Sequence, residues 1–369
     1  MNKRIGIITY HRADNFGAML QCYALQEILR IIGYDAMVID YRQPFTELIY
    51  SPWRLDIVKR GLVAPRLLGG YLFKVLPTLY KRRKLYDRFR KKHLRCTKPV
   101  KMAQDMPQDI NVYLIGSDQM WSLHPTNDII EPVYFGDFPK PMGSSIQGYA
   151  ISSNIQSLHT IGTDYLKEAT KRFKRLSFRE AVIRDEVEHM TGRHGDVVLD
   201  PSLLLNFDEW DKLTTGPIIK KPYLLTYFLS NDTDNPEFRE LVRDFGKRNE
   251  LKVVDMFEIA YSPIDFLNAI KYASVVFAAS FHATAFCILF RKTFYAFQSS
   301  DGRDIRYINL LNELNIGDRL ITTCDINTLR IRKVDYSKTE ADLHNLRQNS
   351  FNYLKLSLIH ISEPTRLRC

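Results

Sequence analysis

His282 sits where a run without turn residues, Ser274-Val275-Val276-Phe277-Ala278-Ala279, gives way to the apolar stretch 283–291. The pattern predicts a strand passing through Ser280-Phe281-His282 into a buried helix. In a parallel sheet that junction lies at the carboxyl edge, where α/β proteins bind ligands. The helix N-terminus offers unpaired N–H groups and a partial positive charge, which suit a phosphate or carboxylate. An imidazole beside such an anion can supply charge or a proton. A capping Ser280 with a buried, hydrogen-bonded His282 fits the same residues.

Three other junctions carry polar side chains. Asp14-Asn15-Phe16-Gly17 closes the first strand–helix turn, where Gly17 permits close backbone approach and Asp14 or Asn15 can cap the helix. Gly116-Ser117-Asp118-Gln119-Met120-Trp121 follows a second strand. There Trp121 can stack on a sugar ring, and Asp118 can hold a hydroxyl or act as a base. An Asp N-cap with a buried Trp is the plain alternative. Ser177-Phe178-Arg179-Glu180 ends a third strand. Arg179 can clamp an anion bidentately or pair with Glu180 or another acid.

The elements that position these residues alternate. Strands are expected at 5–10, 35–41, 111–116, 146–152, 175–179 and 196–199, with helices at about 18–32 and 180–190. After Gly216-Pro217 come strands at 223–228, 252–257, 274–279 and 293–297, and helices at 236–250, 263–272 and 306–315. Such alternation predicts an α/β protein with mostly parallel sheets and right-handed crossovers. Two α/β halves whose sheets face a cleft are expected. The first spans 1–215 with a basic helical insertion at about 44–108, and the second spans 216–335. A C-terminal helix follows at 336–355.

Composition is that of an ordinary globular chain, with 369 residues and no apolar run of bilayer-spanning length. Met1-Asn2-Lys3-Arg4 leads straight into a strand, so no signal peptide is expected. The five cysteines are scattered without a C-x-x-C pair. That argues for the cytoplasm and against zinc or a disulfide framework. A formal charge of +10 favours anionic partners without naming them. Residues 356–369 (LSLIHISEPTRLRC) read as translated sequencing-adapter DNA and are set apart from the fold.

Taken in order, the segments resemble the polysaccharide pyruvyl transferases. The match runs through Asn15-Phe16-Gly17-Ala18-Met19-Leu20-Gln21, Gly116-Ser117-Asp118-Gln119-Met120-Trp121 and Gly148-Tyr149-Ala150-Ile151-Ser152-Ser153. It continues through Leu176-Ser177-Phe178-Arg179-Glu180, Leu199-Asp200-Pro201-Ser202 and Ala279-Ser280-Phe281-His282-Ala283-Thr284. No single segment is specific, but their order is. The resemblance implies a glycosyltransferase-B-like fold of two Rossmann-like domains, whose C-terminal helix returns to the first domain. It implies transfer of the pyruvyl group of phosphoenolpyruvate onto two hydroxyls of a sugar, giving a ketal and phosphate, with no cofactor or metal. Arg179 and His282 then fall at donor positions with Ser280, and His282 is the candidate acid. Asp118 is the candidate base. Asn15, Gly17, Gln119, Trp121 and Ser152 face the acceptor. Some relatives carry Arg where this chain has Ser280, and Arg303 or Arg306 can compensate. Relatives also often have Gly at Asn154.

The strongly basic stretch 59–98 has Leu79, Tyr80, Leu85, Tyr86 and Phe89 at roughly helical spacing. It reads as a solvated helix pair, or as a contact with the inner face of an anionic membrane carrying a lipid-linked acceptor. No nucleic-acid motif accompanies it. Two other functions fit the same scaffold. One is a nucleotide-sugar glycosyltransferase with Glu258 or Asp265 at the ribose. The other is a non-catalytic glycan-binding relative.

Overall fold

A computed structural model describes residues 4–53, 69–229, 235–298 and 305–359. The chain divides into two compact units, 1–204 with 349–369, and 205–348. The division falls before the expected 215/216 because Trp210 sits edge-on to Phe286 at 4.8 Å and Lys271 is bonded to Asp211. The stretch ahead of Gly216 is thereby tied to the second unit.

In the first unit five strands lie in the order β2-β1-β3-β4-β5: β1 (Arg4–Ile8), β2 (Asp35–Val38), β3 (Val112–Ile115), β4 (Ser145–Gly148) and β5 (Phe173–Arg175). Every pairing is parallel. β3 is buried at all four positions, as expected for a strand covered on both faces. The expected strand at 175–179 is split. Leu176 interrupts it, and β6 (Ser177–Phe178) pairs with β7 (Asp196–Val197) in a separate two-stranded sheet. Helix α1 (Phe16–Ile31) crosses from β1 to β2. Asn15 caps it by accepting from Ala18 N at 3.1 Å. α2 (Pro44–Ile49) and α3 (Leu76–His93) belong to the basic insertion.

The second unit repeats the plan, with β8 (Tyr223–Phe228), β9 (Lys252–Asp255), β10 (Val275–Ala279), β11 (Phe294–Phe297) and β12 (Leu320–Ile321) in the order β12-β11-β10-β8-β9. Its pairings are again all parallel. Helix α4 (Phe281–Leu289) starts directly after β10, and α5 (Ile305–Glu313) follows β11.

The last helix, α6 (Tyr336–Ile359), runs past residue 355. Its end belongs to the first unit. There Ser350 Oγ accepts from Leu199 N at 2.9 Å, Tyr353 Oη donates to Gly148 O at 2.7 Å, and Leu358 is buried. Residues 360–369 lie outside the described residues.

Candidate functional site

Each sheet has one point where the strand order turns back, and its carboxyl edge is where open α/β sheets bind ligands. In the first unit it lies between β1 and β3, because β2 flanks β1 on the other side. Asn15 and Gly17 follow β1, and Asp118 and Gln119 follow β3. In the second unit it lies between β8 and β10. Ser280 and His282 follow β10. Asn15, Gly17, Asp118, Gln119, Ser280 and His282 therefore fall at the turning point of their own sheet, whereas Ser152 follows β4, Arg179 follows β6 and Arg306 follows β11.

At the end of β3 the chain needs glycine. Gly116 has φ +123°, and a Cβ there would stand 2.0 Å from Tyr149 O. Asp118 (φ 78°) and Ala150 (φ 48°) both occupy left-handed backbone, which costs energy outside glycine and clusters at functional sites. Backbone bonds then join the strand ends. Ser152 N donates to Asp118 O at 3.0 Å, and Arg179 N donates to Ile151 O at 3.1 Å. This lattice brings Asp118, Ser152 and Arg179 together.

Arg179 is enclosed by acids. Its Nε donates to Glu180 Oε1 at 2.8 Å, Nη1 to Asp200 Oδ2 at 2.9 Å, and Nη2 to Ser152 Oγ at 3.0 Å. Asp118 Oδ1 lies 3.8 Å from Nη1. Burial alone would lower the pKa of the guanidinium, but Glu180, Asp200 and Asp118 together hold it raised. Three carboxyl groups thus surround one guanidinium. The expected role of Arg179 as a clamp for a donor anion is not what this geometry favours: Nε and Nη1 are engaged by acids and Nη2 by Ser152. Glu180, the neighbour of Arg179, is buried in the same cluster. Ser152 Oγ donates to its Oε1 at 2.9 Å, while Oε2 is buried without a hydrogen-bond partner.

Trp121 is also corrected. It is fully buried, donates Nε1–H to Tyr134 O at 3.1 Å, and stacks on Phe135 at 5.2 Å. It holds the β3 loop rather than facing a sugar. Asn15 is half-buried and capping, Gly17 is buried in the first turn of α1, and Gln119 is half-buried beside Asp118. Asn154, the departure from the glycine of relatives, caps the next helix by accepting from Ser157 N at 2.8 Å.

His11 went unnoticed in the sequence because a lone His after a strand has no spacing signal. It is buried, with Nε2 2.9 Å from Asp40 Oδ1. A carboxylate only accepts, so Nε2 carries the proton. Burial lowers the His11 pKa, with the Asp40 hydrogen bond opposing it only in part. Asp40 is raised by burial, but hydrogen bonds from His11 and Arg42 outweigh this and hold it down to about 2. Arg90 Nε donates to His11 O at 2.9 Å and its Nη2 is bonded to Asp14, so the basic helix α3 locks the β1–α1 turn.

In the second unit Ser280 is the extended N-cap of α4 and makes no side-chain capping bond. His282 is half-buried in the first turn, with its ring edge-on to Phe281 at 5.2 Å. Arg306 is half-buried in the first turn of α5. Arg303 lies outside the described residues. Of the two ribose candidates, Asp265 is spent in a capping box with Ser262. Glu258 lines a cavity of about 160 Å³ with Thr226, Arg239 and Asp255, below the roughly 300–1,000 Å³ of usual ligand clefts. Among the described residues no group of His, Cys, Asp and Glu could hold a metal ion.

Several solved structures are similar to the chain in fold at low sequence identity. A protein assigned as a UDP-N-acetylglucosamine 2-epimerase from Listeria monocytogenes is similar over 99% of this chain and 98% of its own, with TM-score 0.50 and 8% identity. The glycosyltransferase SnogD from Streptomyces nogalater is similar over 97% and 100%, with TM-score 0.41 and 9% identity. The UDP-GlcNAc 2-epimerase of Methanocaldococcus jannaschii is similar over 95% and 100%, with TM-score 0.44 and 9% identity. No curated protein matches the chain. The fold is α/β with two Rossmann-like domains, of the glycosyltransferase-B type. The polysaccharide pyruvyl transferase family model matches residues 15–301, and the chain belongs to that family.

Proposed function

We propose that the chain moves the pyruvyl group of phosphoenolpyruvate onto a sugar of a cell-surface polysaccharide or its lipid-linked precursor, closing a ketal. The observation that supports this reading is the family match over 15–301, which takes in both sheet turning points. The reaction begins with a proton delivered to the methylene carbon, which becomes a methyl group as positive charge develops at C2. One sugar hydroxyl adds to C2 and gives up its proton. The C2–O bond to phosphate then breaks, and a second hydroxyl adds and loses its proton. Of the two hydroxyl protons, one restores the acid and one leaves with phosphate.

His282, in the first turn of α4, is the proposed acid and phosphate contact, with Ser280, Arg306 and Arg303 as the other donor-side groups. Asp118 is the proposed base. It follows β3, with left-handed backbone and a side chain 17% exposed. Asn15, Gly17 and Gln119 are the proposed acceptor-side groups, while Ser152 is buried between Arg179 and Glu180 and positions them. Arg179 is a positioning residue that orients Asp118, Glu180 and Ser152. No cofactor or metal enters this reading.

Turnover tests it. Protein, phosphoenolpyruvate and oligosaccharide acceptors should yield inorganic phosphate and a ketal methyl signal by NMR in equal amounts. Phosphate without ketal, whatever the acceptor, would contradict the assignment.

A further inference from the structure

Helix α3 presents two unlike faces. Inward, Tyr86, Phe89 and Arg90 are buried, and Arg83 and Arg90 are tied to Asp14, Glu47 and Asp87. Outward, Lys84, Arg88, Lys91 and Lys92 are exposed, and none has a carboxylate partner among the described residues. The spacing of Tyr80, Lys84, Arg88 and Lys91 puts them on one helix face. Asp87, the one acid of this helix, is held by the arginines of the inner face. Tyr80, at the N-terminal end of this stripe, is 60% exposed, and Phe73, in the π-helical turn Tyr71–Val75 that leads into α3, is 83% exposed. Between Tyr80, Trp53 and the four cations runs a groove of about 690 Å³.

We propose that this face docks on the surface of an anionic phospholipid bilayer. Four unneutralised cations in a row match a negatively charged leaflet, where each Lys or Arg contributes about 1 kcal/mol, or about fivefold in partitioning. Exposed aromatic rings are costly in water and settle at the depth of the headgroups. Their place argues for lipid over nucleic acid. Rings that stack on bases alternate with cations along a strand path, whereas here they gather at one end. The groove between the rings and the cations gives a headgroup phosphate a seat. This docking does not depend on the donor or on the reaction, so it stands or falls separately from the pyruvyl assignment.

The test is flotation of the full chain with vesicles of phosphatidylglycerol and phosphatidylcholine, beside phosphatidylcholine alone. The wild type should float with the anionic vesicles only, and release in about 0.5 M salt as screening shortens the electrostatic reach. The variant Lys84→Gln/Arg88→Gln/Lys91→Gln/Lys92→Gln should lose several hundred-fold in partitioning, at about fivefold per cation. Phe73→Ser/Tyr80→Ser should weaken flotation while circular dichroism stays that of the wild type. Failure of the wild type to float with anionic vesicles would overturn the proposal. So would undiminished flotation of the four-cation variant, equal flotation with neutral vesicles, or displacement by single-stranded DNA at equal charge.

Discussion

Arg179 Nη1 and Asp200 Oδ2 lie 2.9 Å apart, with side chains 2% and 0% exposed. The same carboxylate oxygen takes Ser117 Oγ at 3.2 Å, and Asp200 Oδ1 takes Ser202 N and Oγ at 2.9 and 2.6 Å. The pair therefore stitches the ends of β3 and β6 to the turn after β7. Removing Arg179 leaves buried acids uncompensated, which costs about 3–5 kcal/mol. Arg179→Gln should lower the urea midpoint of the first unit accordingly. A variant of wild-type stability that has lost only phosphoenolpyruvate binding would return Arg179 to the role of an anion clamp.

Trp121 fills the space between Phe135, Phe173 and Phe178. Trp121→Ala should destabilise the protein by about 3–5 kcal/mol. A residue stacked on a sugar would behave differently: KM for the acceptor would rise and the unfolding curve would not move.

His282→Ala should lower kcat/KM for pyruvyl transfer by on the order of 10²–10⁴. Stability should change by less than about 1 kcal/mol, since the ring is only half-buried. Unchanged turnover would remove His282 as the acid.

Acid sensitivity should centre on His11 and His93, whose pKa values burial lowers from 6.5. Below pH 6.5 the unfolded chain binds protons at these sites that the folded chain does not. Stability therefore rises with pH through this window and is lost as pH falls, by up to about 1.4 kcal/mol per pH unit for each histidine. Asp40 adds the same sign lower down, because its folded value of about 2 means its contribution goes as pH falls below the ordinary carboxylate range. Urea midpoints at pH 7.5 and 5.5 measure the slope, and His11→Gln should flatten it.

Much of the architecture was legible because strand and helix periods were clean. The runs Tyr223–Phe228 and Pro263–Tyr272 are a strand and a helix with those limits. Elsewhere local rules competed. The stretch expected as a strand over 252–257 stops at Asp255, whose side chain accepts from Phe257 N at 2.8 Å and starts a short helix. Helices Ile155–Ile161 and Thr163–Lys171 were missed, since only Asn154 and Gly162 punctuate them and neither has a long apolar stripe. The places of Ser280, His282 and Asp118 just after strand ends were readable from the sequence. The burial of Trp121 and the spending of Arg179 on acids were not. Both depend on which side chains meet across separate strands, and one-dimensional spacing does not record that. His11 with Asp40, 29 residues on, is the same case.

The most direct measurement is isothermal titration of the protein with phosphoenolpyruvate, beside uridine and guanosine diphosphates, for the wild type and His282→Ala. Binding of phosphoenolpyruvate that His282→Ala weakens, with no heat from either nucleotide, is the expected result. Binding of a nucleoside diphosphate in its place would contradict the pyruvyl assignment and make the protein a nucleotide-sugar transferase.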